Sequence, residues 1–192
     1  MKRKGSFLKS DKNLGFPSEV AATIRTHRWK NFAVHPSNPI LPLVLEFYSN
    51  ILTGNQTFSM VRGVKVSFSA PSINMQFDLE DCVDDFSDLV ESLRGVDLDR
   101  ILRIVTVEGT TWLPNKDGCI FMCARPALRP IANIWYHFIR TLLIPTTHIE
   151  TVNKDRLILL HCILEGKSIN IGNIIQREKR RYQCLLPKQR RI

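Results

Sequence analysis

Residues 130–166 read PIANIWYHFIRTLLIPTTHIETVNKDRLILLHCILEG, and this stretch decides the fold class. Ile131, Ile134, Trp135, Phe138, Ile139 and Leu142 recur at the 3.6-residue period, the apolar stripe of a helix packed on a core. Pro130 suits the first turn of that helix, and Pro145 cannot continue it. Thr147 and Glu150 have capping-box spacing, in which each side chain satisfies an orphan N–H at a helix start, so a second helix is predicted from there. That helix is apolar almost all round, through Leu157, Ile158, Leu159, Leu160, Ile163 and Leu164, which predicts a central, buried element. Gly166 fits its stop.

The same reasoning extends outward. Pro17-Ser18 opens a helical stretch predicted to run to Trp29, and residues 36–42 read as a short irregular segment. Leu43, Val44, Phe47, Tyr48 and Ile51 have helical spacing, with Gly54-Asn55 as the end. Residues 58–68 alternate around Arg62-Gly63 and predict a small β-hairpin. Ser69 and Pro71 fit the cap and first turn of a short helix. Residues 78–85 form an acidic linker. Phe86, Leu89, Val90 and Leu93 give one short helix stopped at Gly95, and Leu98, Ile101, Leu102 and Val105 another, opened at Asp97 or Asp99. Residues 109–118 read as a loop around Trp112, 119–123 as a short strand, and 169–181 as the last helix. The expected fold is mainly α: a single compact multi-helix domain of six to eight helices with a hairpin near 58–68. A basic arm at 1–16 precedes a body at 17–181, and a basic tail at 182–192 follows it.

The chain has 192 residues, 44% of them apolar and 23% charged, which excludes a disordered, collagenous, coiled-coil or disulfide-dense class. Its net charge of +9 is unevenly placed. Residues 1–30 carry +6, residues 177–192 carry +6, and the body between carries −3. Basic ends attract polyanions: nucleic acid, acidic proteins or anionic membrane. Nucleic acid is one expected partner, through Lys2, Arg3, Lys4, Arg177, Lys179, Arg180, Arg181, Arg190 and Arg191, and protein or a second copy of the chain is the other. The runs Lys2-Arg3-Lys4 and Arg177–Arg181 also suit nuclear import. The N-terminus lacks the apolar run of a secretory signal, and no apolar stretch reaches the roughly 20 residues of a membrane span. The expected location is therefore intracellular, nuclear or cytoplasmic, with no membrane partner.

Several motifs resemble chemistry that their context does not support. Cys119 and Cys123 sit four apart, with His137, His148 and His161 downstream, but Ile120, Phe121 and Met122 between the cysteines read as a buried strand. No second close ligand pair completes a zinc site, because His161 and Cys162 are adjacent on a helix and diverge. Five cysteines, an odd number without a signal peptide, read as free thiols. Gly166-Lys167-Ser168 resembles the end of a P-loop, yet His161 stands where the first glycine belongs, and a helix ends there rather than begins. Asp84-Asp85 resembles the paired aspartates of polymerases, but Cys82 replaces the usual aromatic residue and no third ligand is identifiable. No metal, cofactor, catalytic group or small-molecule ligand is expected.

From about Trp29 to Glu178 an ordered set of segments carries a family resemblance. They include Trp29-Lys30-Asn31-Phe32; Pro42-Leu43-Val44 with Glu46-Phe47-Tyr48; Val61-Arg62-Gly63-Val64; Leu128-Arg129-Pro130 with Trp135; Pro145-Thr146-Thr147-His148; and Glu165-Gly166-Lys167-Ser168-Ile169-Asn170. On these the chain resembles the putative plant transposon protein domain of plant transposable-element products. The resemblance implies origin in a mobile element, and the signature residues read as a scaffold. The family's usual closing segment is expected to be missing, since residues 181–187 lead straight into Lys188-Gln189-Arg190-Arg191. The expected function is a non-catalytic domain acting in nucleic-acid or protein association. The alternatives are a gag-like self-associating module and, third, a catalytic transposase fragment.

Overall fold

The computed structural model describes residues 17–33, 38–51, 57–93, 95–114 and 120–185. Helices dominate, as the stripes predict, but the strands form two small sheets rather than one hairpin. The chain also divides into two compact units where a single one is expected. One draws on residues 1–81 and 171–192, the other on 82–170, so the acidic stretch 78–85 contains a unit boundary.

The first unit begins with α1 (Ser18–Thr26), which buries Val20, Ala21 and Ile24. The predicted helix to Trp29 breaks at Arg28, whose φ is +54°. The Trp29 N–H then donates to Ile24 O and the Arg28 N–H to Arg25 O, the paired bonds of a Schellman stop. The chain resumes in α2 (Lys30–Ala33), with Trp29 buried at the bend. Next comes α3 (Leu41–Ser49), whose first turn takes up Pro42. It ends at Ser49, and the expected stop at Gly54-Asn55 lies outside the described residues.

The hairpin is found as predicted: β1 (Phe58–Val61) pairs antiparallel with β2 (Val64–Ser67), Val61 opposite Val64. Arg62 and Gly63, with φ of +51° and +75°, form the turn. Ser59 is buried and donates to Phe47 O, tying the hairpin to α3. Then α4 (Ala70–Gln76) starts at Ser69, whose hydroxyl accepts from the Ser72 N–H. The last helix of the unit, α9 (Ile171–Leu185), packs on α4 through Gly172. The Gly172 N–H donates to the side-chain Oδ1 of the buried Asn74 of α4 at 2.9 Å, which satisfies one of the orphan donors of the α9 start.

The second unit is built around α8 (Lys154–Leu164), on which α5 (Asp85–Ser92), α6 (Gly95–Val105) and α7 (Pro130–Phe138) pack. All-round burial of α8 follows its all-round apolar sequence. Gly95 opens α6 where it was expected only to stop α5. A π-helical turn, Ile139–Leu143, continues α7, and the chain leaves it at Ile144, before Pro145. The three-stranded sheet runs β3 (Leu113–Pro114), β4 (Ile120–Ala124), β5 (Thr151–Asn153), with Cys123 opposite Val152 and both buried.

The strand β5 overturns the capping box. Residues 147–150 do not start a helix; they form an irregular segment with bends at 147 and 150, and β5 intervenes before the helix starts at Asn153, whose side chain accepts from the Arg156 N–H. Asn caps better than Thr, and the β-branched Thr151-Val152 pairs with β4 instead. Gly166, with φ +65°, closes α8 as predicted: the Lys167 N–H donates to Cys162 O and the Gly166 N–H to Ile163 O.

Candidate nucleic-acid interface

The basic residues expected to meet phosphate fall into two groups, and a third basic group lies outside that expectation. Lys2, Arg3, Lys4, Arg190 and Arg191 lie outside the described residues. Arg177, Lys179, Arg180 and Arg181 are on α9, where Arg180 and Arg181 are exposed. Glu178 accepts from Arg181 at 3.0 Å and lies 3.9 Å from Arg177. The Lys179 ammonium turns inward, 3.6 Å from the ring centres of both Phe47 and Phe68 and 5.5 Å from that of Tyr48. Its sequence signal, a cation in a basic run, does not distinguish this inward position from the outward one of Arg180.

Burial pulls the Lys179 ammonium down to about 8, although the two ring faces offset part of the lost hydration. An unfolded lysine titrates near 10.5. Between these values the unfolded chain binds more protons, so stability rises with pH across that window. Below about 8 the cost of burying the charge is present in full. Lys179→Met is expected to remove the rise and to raise stability at neutral pH. Urea midpoints of the two proteins between pH 7 and pH 10.5 check this, and parallel curves would refute it.

The third group was counted only within the +6 of residues 1–30. Arg25, Arg28 and Lys30, all exposed, line a pocket of about 470 Å³ together with Asn31, Asp78 and Glu80. Arg28 forms an ion pair with Glu80 at its edge. Asp78, like Arg28, has a left-handed backbone, φ +56°. It follows α4 as Arg28 follows α1: the Leu79 N–H donates to Asn74 O and the Asp78 N–H to Met75 O. The available signal was the break itself, a basic Arg25-Thr26-His27-Arg28 run between apolar Ile24 and Trp29.

The decoy motifs have structural partners in the second unit. The Asp84 carboxylate caps α5, accepting from the Ser87 N–H and hydroxyl. The Ser168 N–H donates to Asp85 at 2.9 Å, the Asn170 N–H to Asp84 at 3.4 Å, and the Asn170 amide to Cys82 O. The paired aspartates thus anchor the chain that follows Gly166. Burial pushes the Cys123 thiol up to about 11 and the Cys162 thiol to about 12, so both stay protonated rather than becoming thiolates. Burial likewise lowers His137 and His161, which favours neutral imidazoles at pH 7. No group of three His, Cys, Asp or Glu side chains that could hold a metal ion occurs among the described residues. Among them, too, no helix is long and apolar enough to cross a membrane.

A family model described as "Putative plant retrotransposon-related domain" matches residues 25–190. The chain belongs to this family. The match begins at Arg25, one of the residues lining the pocket, and extends to Arg190, beyond the end of α9 and through most of the segment 182–192. Membership supports derivation from a plant transposable element. No curated protein and no solved structure matches the chain.

Proposed function

We propose that this retrotransposon-related domain is a non-catalytic association module that holds nucleic acid through the basic residues at its two ends. The carrying observation is the charge partition, +6 at each end against −3 between. Arg25, Arg28, Lys30, Arg180 and Arg181 supply exposed cations on described elements, beside those of residues 1–16 and 186–192. The acids that best resembled a metal pair already hold backbone N–H groups, which favours a scaffold role for them. Contacts of this kind read phosphates, not bases, so binding is weak in sequence preference and steep in salt.

Filter binding against a salt series tests the reading. The expected log–log slope is about −0.9 per phosphate neutralised on duplex DNA. Replacing Lys2, Arg3, Lys4, Arg190 and Arg191 by glutamine is expected to flatten that slope; an affinity indifferent to salt in the parent chain would remove the proposal.

A second reading, self-association, has its own observation. Ile40, Leu41, Leu45 and Tyr48 at α3, and Val64 on the hairpin, are each more than half exposed. Such apolar surface is costly to leave in water. Light scattering over a concentration series separates the readings: a constant monomer mass removes this one.

A further inference from the structure

We infer that the pocket at the ends of α1 and α4 takes a phosphate group of a nucleic-acid backbone, Arg28 exchanging Glu80 for the phosphate. The inference rests on the nucleic-acid reading above and names the site at which it operates.

Three helix ends, those of α1, α4 and α8, close with the same pair of backbone bonds, and each needs one residue in the left-handed region. Glycine is the favoured residue there, and α8 uses Gly166. At α1 and α4 the position is held by Arg28 and Asp78. An arginine gains nothing from a left-handed backbone, and both residues line the same pocket. Aspartate tolerates this backbone, so the strained residue of the cavity is Arg28, the pattern expected where a side chain is kept for a ligand.

The lining defines the ligand. Arg25, Arg28 and Lys30 bring three cations, and Asn31 lines the pocket with them. Asp78 and Glu80 oppose an anion, as do the carbonyl ends of α1 and α4. Three guanidinium or ammonium groups against two carboxylates leave one positive charge, which the two helix ends largely offset, so the site turns positive when Glu80 swings away from Arg28. The Arg28–Glu80 pair is two-thirds exposed on both sides, so it is weak and easily exchanged. A phosphate accepts from arginine in the same forked geometry as a carboxylate does. Glu80 therefore acts as a built-in competitor that covers Arg28 until a phosphate displaces it.

The test uses the full chain with fluorescein-labelled single-stranded DNA, and the same strand as RNA, in salt series. Arg25→Gln with Lys30→Gln is expected to weaken binding about ten-fold at low salt and to flatten the slope by roughly 0.7 per phosphate lost. Glu80→Gln is expected to tighten binding about two- to five-fold, because the competitor is removed. Arg28→Gly is expected to weaken binding while the thermal midpoint holds or rises, since glycine suits the backbone. Pocket variants that keep the parent affinity and slope, while tail variants lose binding, would overturn the inference and leave the nucleic-acid reading standing. Polyglutamate that competes as well as the oligonucleotide would reassign the pocket to an acidic protein. A parent chain that binds no oligonucleotide overturns the nucleic-acid reading. The pocket is then judged with inorganic phosphate: amide shifts at Asn31 and Glu80, absent in Arg25→Gln with Lys30→Gln, support it, and no shifts overturn it.

Discussion

Gly172→Ala is expected to cost the first unit about 3 kcal/mol, at the upper end of overpacking penalties and a large share of a typical domain's stability. A Cβ at this position would sit 2.3 Å from Ala70 O and 2.9 Å from Ala70 C. It would also meet the Asn74 side-chain oxygen at 2.7 Å. Two of these atoms are backbone of α4, so no rotamer change can clear them. Separating α9 from α4 would break the 2.9 Å bond from the Gly172 N–H to Asn74 and open the packing around Ile171 and Ile174, which are both buried. The change is conservative by size and favourable by helix propensity, so a gain would be expected if local preference ruled. A variant keeping Trp29 as its single tryptophan reports the first unit, since Trp29 is buried there. A urea midpoint unchanged in that background would show that the two helices do not meet as closely as described.

The second large effect is expected in the other unit. Arg156 is buried, and its guanidinium donates through Nε and Nη2 to Ile144 O and through Nη2 to Pro145 O. These carbonyls lie just after the π-helical turn, where the chain leaves the regular ladder. Arg156→Ala is expected to cost about 4 kcal/mol, through orphaned buried carbonyls and the space left by the side chain. Arg156→Lys keeps the charge but not the planar fork, and should fall between the two. Denaturation followed at Trp135 reads the unit directly. A lysine variant as stable as the parent would mean that the charge alone is what matters at this position.

Helical stripes made most of the fold legible. Ile131 to Leu142 and Leu157 to Leu164 predicted α7 and α8 because burial imposes a period on composition. Arg62-Gly63 predicted the hairpin because few sequences accept its turn. What escaped depends on contacts distant in sequence. Thr151-Val152-Asn153 becomes a strand only because β4 is there to pair with it, and that partner outweighs a valid capping box at Thr147. Arg28 ends a helix without the glycine that would announce the stop, so the predicted helix ran three residues too far. Among the basic residues, composition could place the charge at the ends, but not distinguish Lys179, held between two rings, from its neighbour Arg180 on the solvent side.

Residues 82–170 form one unit inside a chain whose two ends form the other. During vectorial synthesis the inner unit is complete in sequence while α4 still lacks its partner. The surface of α4 that receives Gly172 stays uncovered until α9 leaves the ribosome. Translation that stops between Asn170 and Leu185 would therefore release a polypeptide with one unit complete in sequence and the other still lacking its last helix, the state that chaperones and proteases recognise. Ribosome-bound nascent chains of increasing length would register this as two separate gains of protease resistance, the later one set by the last helix.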